Sequence, residues 1–319
     1  MNKYTYTEKK DTRSGFGAGL LEAGKRFPEV VALAADLKGS VKMDAFAKEF
    51  PDRFIQVGIA EANMISMAAG MALAGKIPFT GTFAEFATAR VYDQIRQSVA
   101  YSEKNVKIYA PHAGLSVGED GATHQALEDM GMMRMMPGMT VIHPCDYNQA
   151  YNATLAVAEF KGPVYLRCGR PEVPNFTPKD RKFEIGKAYV LQEGCDVTII
   201  AIGHLVWPAL EAAEALQEKG ISAEVIDMAT IKPLDTACIL KSILKTGCVV
   251  TCEEHQINGG LGDSVANFLS RSVPVPMEML GVDDQFGQSG KPQELLDLYG
   301  LNTNGILAKV DLVLPRKIK

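Results

Sequence analysis

The feature that most constrains this chain is an alternation of short apolar runs with stretches long enough for several helical turns. In the first half the strand candidates are VVALAAD (30–36), FIQVG (54–58), IPFTGTF (77–83), VKIYA (106–110), MTVIH (139–143) and PVYLR (163–167). Helical stretches lie at 14–27, 60–74, 84–101 and 146–160. Strands without polar alternation are buried on both faces, and parallel neighbours need connections long enough to hold a helix. The pattern therefore predicts an α/β fold built on an open, mostly parallel sheet. It is interrupted by RPEVPNFTPKDRK (170–182), whose three prolines and charged end read as an extended linker. It then resumes with DVTIIAIG (196–203), a helix at 209–219, AEVID (223–227) and CVVTCEE (248–254). Two open-sheet α/β domains follow, at 1–172 and a smaller one at 187–319, joined by a linker at 173–186.

Composition narrows the class. At 319 residues the chain can bury two cores without staples. Hydrophobic residues make up 47% and charged residues 22%, which excludes disordered and collagen-like classes. A net charge of −5 gives no nucleic-acid or anionic-membrane signature. Mean hydropathy is −0.01, no run of 18 apolar residues occurs, and the polar N-terminal stretch lacks a signal-peptide core. Six cysteines form no C-x-x-C pair and sit mostly in apolar runs, so they read as free thiols in a reducing, cytoplasmic setting.

Ligands of open α/β sheets bind beyond the carboxyl ends of strands, so the residues there are the candidates. Glu61 opens an otherwise apolar helix. It reads either as a first-turn carboxylate favoured by the helix dipole or as a partly buried acid poised for proton transfer. Phe83 and Phe86 read as core or as a stacking wall for a flat heteroaromatic ligand. His112, Asp120 and His124 share a glycine-rich loop with no standard zinc spacing, which suits recognition of a hydroxylated or phosphorylated substrate. Arg13 and Arg167 read as phosphate-binding charge or as solvated surface arginines. GGLGDSV (259–265) lacks the order of a dinucleotide or P-loop motif and reads as helix-entry packing. His204 is left open, and Trp207 reads as packing.

Taken in order, TRSGFG, AADLKGS, VGIAEANM, GTFAEF, HAGLSVGEDGATHQALED, HPCD, YLRCGRPE and EEHQINGGLGDSV resemble the transketolase family over nearly the whole chain. More narrowly, the chain is similar to the C-terminal subunit of a split transketolase. The resemblance implies a pyrimidine-binding domain for thiamine diphosphate followed by a transketolase C-terminal domain. In it Glu61 bonds the aminopyrimidine ring nitrogen, promoting the imino tautomer and the C2 ylid, with its own carboxyl protonated or sharing a proton. Phe83 and Phe86 form the aromatic pocket, and Asp36 lies near the cofactor. His112, Asp120 and His124 contact the sugar, with His124 also assisting proton transfer. Arg13, Ser40 and Arg167 grip the sugar phosphate, Arg170 competing with Arg167 for that place. The implied reaction transfers a two-carbon ketol unit from a ketose phosphate to an aldose, as in the pentose phosphate reactions. Where some members carry an aromatic residue, this chain has Ala89.

No GDG motif occurs, so no Mg²⁺ diphosphate site is assigned to this chain. The resemblance puts the divalent cation on a separate N-terminal subunit, with the active site at the interface and an α2β2 assembly. The length then reads as half of an enzyme. Two rival expectations are a β-type subunit of another thiamine enzyme (a 2-oxo acid dehydrogenase or a deoxyxylulose phosphate synthase relative) and a non-catalytic scaffold of the same fold.

Overall fold

The structure, a computed structural model, describes residues 4–317; the outermost residues of the two expected domains, 1–3 and 318–319, lie outside them. The strands are β1 Lys9–Asp11, β2 Val30–Ala34, β3 Phe54–Gln56, β4 Ile77–Gly81, β5 Lys107–Ala110, β6 Thr140–Ile142 and β7 Val164–Arg167, then β8 Glu172–Pro174, β9 Tyr189–Gln192, β10 Val197–Ala201, β11 Ala223–Asp227, β12 Thr230–Lys232, β13 Val249–Gln256 and β14 Met277–Val282. They form a seven-stranded sheet in the order β12-β6-β7-β5-β4-β2-β3, a five-stranded sheet β14-β13-β10-β11-β9, and the antiparallel pair β1–β8. Both larger sheets are parallel except for β12 and β9. β2, β5, β7, β10 and β11 are buried at every residue, as continuous apolar runs require.

Three departures from the sequence reading matter. The segment read as a linker begins with β8, which ties its start to β1. The second half also lends a strand to the first sheet: β12 pairs antiparallel with β6, Thr230 opposite Ile142. One apolar cluster accordingly runs from Val31 and Ile65 through Val141 to Ile200 and Ile226, with no gap between the halves. Finally, the helix expected at 84–101 is broken into Ala84–Thr88, a 3₁₀ turn Ala89–Val91, a short turn Tyr92–Gln94 and a π-helix Ile95–Ala100. Such irregular helical pieces are frequent at functional sites.

The helix Thr12–Arg26 shows why the sequence packs as it does. Asp11 caps it by accepting from the Ser14 backbone N–H at 2.9 Å and from Ser14 Oγ at 2.7 Å. A Cβ on Gly15 would lie 2.3 Å from the Tyr147 carbonyl, and one on Gly19 would lie 2.8 Å from Thr154. Glycines in TRSGFGAG thus let this helix sit backbone-close on Tyr147–Glu159, which fixes Arg13 at the sheet edge. Phe16, one turn on, stacks on Tyr109 of β5 with centroids 3.4 Å apart.

Candidate active site

The chain changes direction across its first sheet at β2, whose neighbours are β3 on one side and β4 on the other. Segments leaving β2, β4 and β5 there carry Asp36 and Ser40, Phe83 and Phe86, and His112. This is where an open α/β sheet offers a crevice.

From Glu61 the contacts run unbroken across this edge. Glu61 is the first residue of the helix Glu61–Leu73 and is only 5% exposed. Its Oε1 accepts from Arg90 Nη1 at 3.1 Å, which leaves Oε2 without a partner among the described residues. The Arg90 guanidinium lies 4.0 Å from the centre of the Phe86 ring. Phe86 and Phe83 are nearly parallel, 17° apart with centroids at 6.1 Å. Phe86 meets His124 edge-on at 5.4 Å, and Phe83 stacks on His112 at 3.8 Å.

His112 Nε2 lies 3.1 Å from Arg13 Nη1, a donor only, so Nε2 accepts and the ring proton belongs on Nδ1. Nδ1 is buried with no partner. Arg13 also donates to the carbonyls of Ser40 at 3.3 Å and Arg170 at 3.0 Å. Burial first, then the charges of Arg13, Arg170 and Lys42, pushes the His112 pKa down to about 3. Three cations around a neutral imidazole make a pocket suited to an anionic head group. His112 and Asp36 both hold left-handed backbone, φ +59° each. For residues other than glycine this conformation is uncommon and clusters at functional sites.

Not every expected residue joins this line. Asp36 is exposed, and its backbone N–H donates to Gln56 Oε1 at 2.7 Å. Asp120 is exposed on its loop, and His124 is half-buried with Nδ1 2.9 Å from Thr123 Oγ1. Arg167 departs from its expected role. It has no exposed surface, and its Nε and Nη2 pair with Asp129 at 2.7 and 3.2 Å. Nη2 also reaches the carbonyls of Ala126 and Glu254, at 3.3 and 3.0 Å. Its guanidinium is fully engaged in the interior and cannot grip a phosphate. Arg170, three residues on, is 38% exposed and stands beside the cleft, bonded to Glu119 at 2.9 Å and to the Val117 carbonyl.

The family model described as transketolase, pyrimidine binding domain, matches residues 8–175. The model for the transketolase C-terminal domain matches residues 186–306. The chain belongs to the transketolase family. A putative transketolase C-terminal section from Methanocaldococcus jannaschii is 48% identical over 304 residues, 94% of this chain and 95% of that protein. A 6-deoxy-6-sulfo-D-fructose transketolase subunit from Clostridium sp. is 43% identical over 298 residues, covering 93% and 92%. A solved split-gene transketolase, described as an inactive β4 tetramer, superposes with a TM-score of 0.90 at 45% identity over 98% of this chain and all of that one.

The transketolase fold carries thiamine diphosphate, and the residues here fit its aminopyrimidine half. A buried carboxylate with one unpartnered oxygen stands beside a pair of near-parallel phenylalanines, as a flat ring bearing basic nitrogens requires. Among the described residues no group of three or more His, Cys, Asp or Glu is placed to hold a metal, and no helix is long and apolar enough to cross a membrane. Two transketolase-cleft residues escaped the sequence reading. Arg90 was hidden because 84–101 reads as one helix, whereas the break at Ala89–Val91 turns Arg90 back onto Phe86 and Glu61. Lys42 was hidden as an ordinary loop lysine, although its φ is +59° and its charge acts on His112. In the second half of the chain Glu253, Glu254 and His255, consecutive residues of β13, are interior. Glu253 accepts from the Leu261 and Gly262 N–H groups at 2.7 Å each, anchoring the GGLGDSV helix entry, and His204 pairs with Glu254 at 3.3 Å. Trp207 packs edge-on against Tyr6 and tilted against Phe176.

Proposed function

We propose that this chain is the C-terminal subunit of a two-chain transketolase, transferring a two-carbon ketol unit from a ketose phosphate to an aldose or aldose phosphate. The observation that carries the reading is the unbroken line of contacts from Glu61 through Arg90, Phe86, Phe83 and His112 to Arg13. It joins an acid and an aromatic wall at one end to a cationic pocket at the other, which is the pairing a thiamine ring and an anionic sugar need.

Thiamine diphosphate, when bound, supplies the nucleophilic carbon and the electron sink for C–C cleavage. Within that frame each side chain has its task. Glu61 Oε2 shares a proton with the aminopyrimidine nitrogen while Arg90 holds Oε1 in place. Phe83 and Phe86 orient the ring and exclude water. His112 donates from Nδ1–H to a sugar oxygen, as its neutral tautomer permits, and Asp120 binds a sugar hydroxyl from the same loop. His124 Nε2 moves protons at the sugar carbonyl. Arg13, Ser40 and Arg170, in place of Arg167, hold the anionic head, with Asp36 bordering the cofactor. The 6-deoxy-6-sulfo-D-fructose relative suggests testing sulfonated as well as phosphorylated ketoses, the pentose phosphates included.

The relatives named as a C-terminal section and a subunit, and the split-gene protein inactive as a β4 tetramer, support a partner. We place the diphosphate and its Mg²⁺ or other divalent cation on an N-terminal transketolase subunit in an α2β2 assembly, in the cytoplasm where six free cysteines persist. The two stretches 1–172 and 187–319 act as the pyrimidine-binding and C-terminal domains, with 173–186 between them. The test is reconstitution with that subunit, thiamine diphosphate and Mg²⁺, assayed for ketol transfer and for pyruvate decarboxylation. Ketol transfer only by the complex is expected. Turnover of pyruvate without ketol transfer, or full activity of the single chain, overturns the reading.

A further inference from the structure

The loop between β5 and the helix Asp129–Met135 carries His112, Asp120 and His124, and its middle is anchored by the second half of the chain. Glu254, in the interior of β13 and 1% exposed, reaches across to the loop. Its Oε1 accepts from the Ser116 backbone N–H at 2.6 Å, and its Oε2 accepts from Ser116 Oγ at 3.2 Å. The His204 ring lies beside the carboxylate, its Nδ1 3.3 Å from Oε2. At the far end of the loop the Gln256 N–H donates to the Leu127 carbonyl at 2.8 Å. Gln125 Nε2 donates to the carbonyls of Leu115, Gly118 and Gln288, at 3.2, 3.3 and 2.9 Å, stitching the loop to itself and to the second half.

The glycines of GLSVGEDG follow from this fit. Gly114, Gly118 and Gly121 all have positive φ, and a Cβ on each would meet the second half of the chain: Glu254 Cδ at 2.3 Å, Pro292 at 3.0 Å and Ser289 Oγ at 2.5 Å. Arg167 completes the arrangement, since one guanidinium bonds both the Ala126 carbonyl in the loop and the Glu254 carbonyl in β13. The residue expected to hold substrate instead joins the loop to the strand that braces it.

We propose that Glu254 is a positioning residue for substrate: from the second domain it clamps the 112–126 loop, and so sets the placement of His112, Asp120 and His124. The proposal rests on the function given above and deepens it by assigning the C-terminal domain a part in sugar binding. A buried carboxylate accepting two hydrogen bonds holds a loop rigidly, and small misplacements of binding groups weaken productive substrate binding strongly.

The experiment compares Glu254→Ala and Glu254→Gln with the wild type, each in the reconstituted complex. It reads amide hydrogen exchange of the loop, steady-state kinetics and thiamine diphosphate affinity. In Glu254→Ala the loop amides exchange about tenfold faster or more while β2 and β4 are unchanged, and KM for the sugar rises about tenfold. Thiamine diphosphate affinity falls less than sugar affinity, because Glu61, Phe83 and Phe86 are carried by elements that Glu254 does not hold, and only the contacts of Phe83 with His112 and of Phe86 with His124 pass the loss on. Glu254→Gln keeps an acceptor for Ser116 and stays near wild type in all three readouts. Unchanged loop exchange and KM in Glu254→Ala overturns the clamp. So does equal damage in Glu254→Gln, which would assign the effect to charge rather than to the bonds. If Glu254→Ala does not fold, Glu254→Asp, one methylene shorter, is read by the same criteria. Fast loop exchange in a complex that transfers no ketol unit would remove the proposed function and leave the clamp. Normal loop exchange in an active complex would do the reverse.

Discussion

Two clusters in this protein are both built around a carboxylate and a guanidinium and do opposite things. At the sheet edge Glu61, Arg90, Arg13 and His112 meet with bonds left over: Glu61 Oε2 lacks a partner, and His112 Nδ1 is buried and orphaned. Between the two halves Arg167, Asp129 and Tyr165 meet with bonds completed. Arg167 has a partner at every nitrogen, and Asp129 accepts from Arg167 and from the Tyr165 hydroxyl at 2.6 Å. Residue type does not separate a binding site from a structural joint here; unspent hydrogen-bonding capacity does. A bound ligand would take up the capacity left at Glu61 Oε2 and His112 Nδ1.

The sharpest way to break the comparison is Glu61→Gln. Loss of a positioned proton-transfer group should lower ketol transfer by the reconstituted complex about 10²- to 10⁴-fold, with the melting temperature nearly unchanged. Full turnover would return Glu61 to a helix-terminal ornament. Next come the two arginines three residues apart. Arg170→Ala should raise KM for a sugar phosphate about 10- to 100-fold, the worth of a charge-assisted hydrogen bond, at unchanged stability. Arg167→Ala should leave Asp129 buried and uncompensated, costing about 3–5 kcal/mol and seen in thermal melts as a fall of about 5–8 °C. Exchanged phenotypes would refute the division drawn here. Arg90→Ala, which removes a partly exposed cation from the Phe86 face and from Glu61, should weaken thiamine diphosphate binding by about five- to tenfold, read by titration of the complex.

The smallest effect is in pH. His112 and His255 are held neutral mainly by burial, at about 3 and about 4. Both titrate near 6.5 in the unfolded chain, which therefore binds more protons below that pH. Their contribution to stability is present above 6.5 and is lost as pH falls through that range. Glu253 and Asp227, raised to about 7 by burial, act oppositely: their contribution is present below their ordinary pKa values and is lost as pH rises through 7. The difference between wild type and His112→Asn isolates His112, and asparagine tolerates the left-handed backbone there. Denaturation at pH 6.5 and 5 should show a fall about 1–2 kcal/mol shallower in the variant. Parallel falls would remove His112 from the buried set.

Much of this was legible in the chain itself. The strand–helix alternation is local in sequence, so the first sheet's parallel strands and the residues beyond their ends could be read directly. What escaped depends on the third dimension. Lone arginines at 167 and 170 look alike until the sheet pleat sends Arg167 inward and leaves Arg170 beyond the strand end. Arg90 could not be placed while 84–101 read as a regular helix, because the break follows from packing rather than from a proline or glycine. β12 is three residues long and too short for periodicity to show. The bracing role of Glu254 gave no signal because its partner, Ser116, lies 138 positions away.

That short strand has a further consequence. β12 is the outermost strand of a sheet whose other members all precede it in the chain by many residues. Anyone cutting the chain at the end of the first family match, after residue 175, would release a fragment with β6 as a bare edge and its main-chain groups ready to template aggregation. The matches divide the sequence in two, but hydrogen bonding runs through the cut. These halves are separable on paper and inseparable as objects.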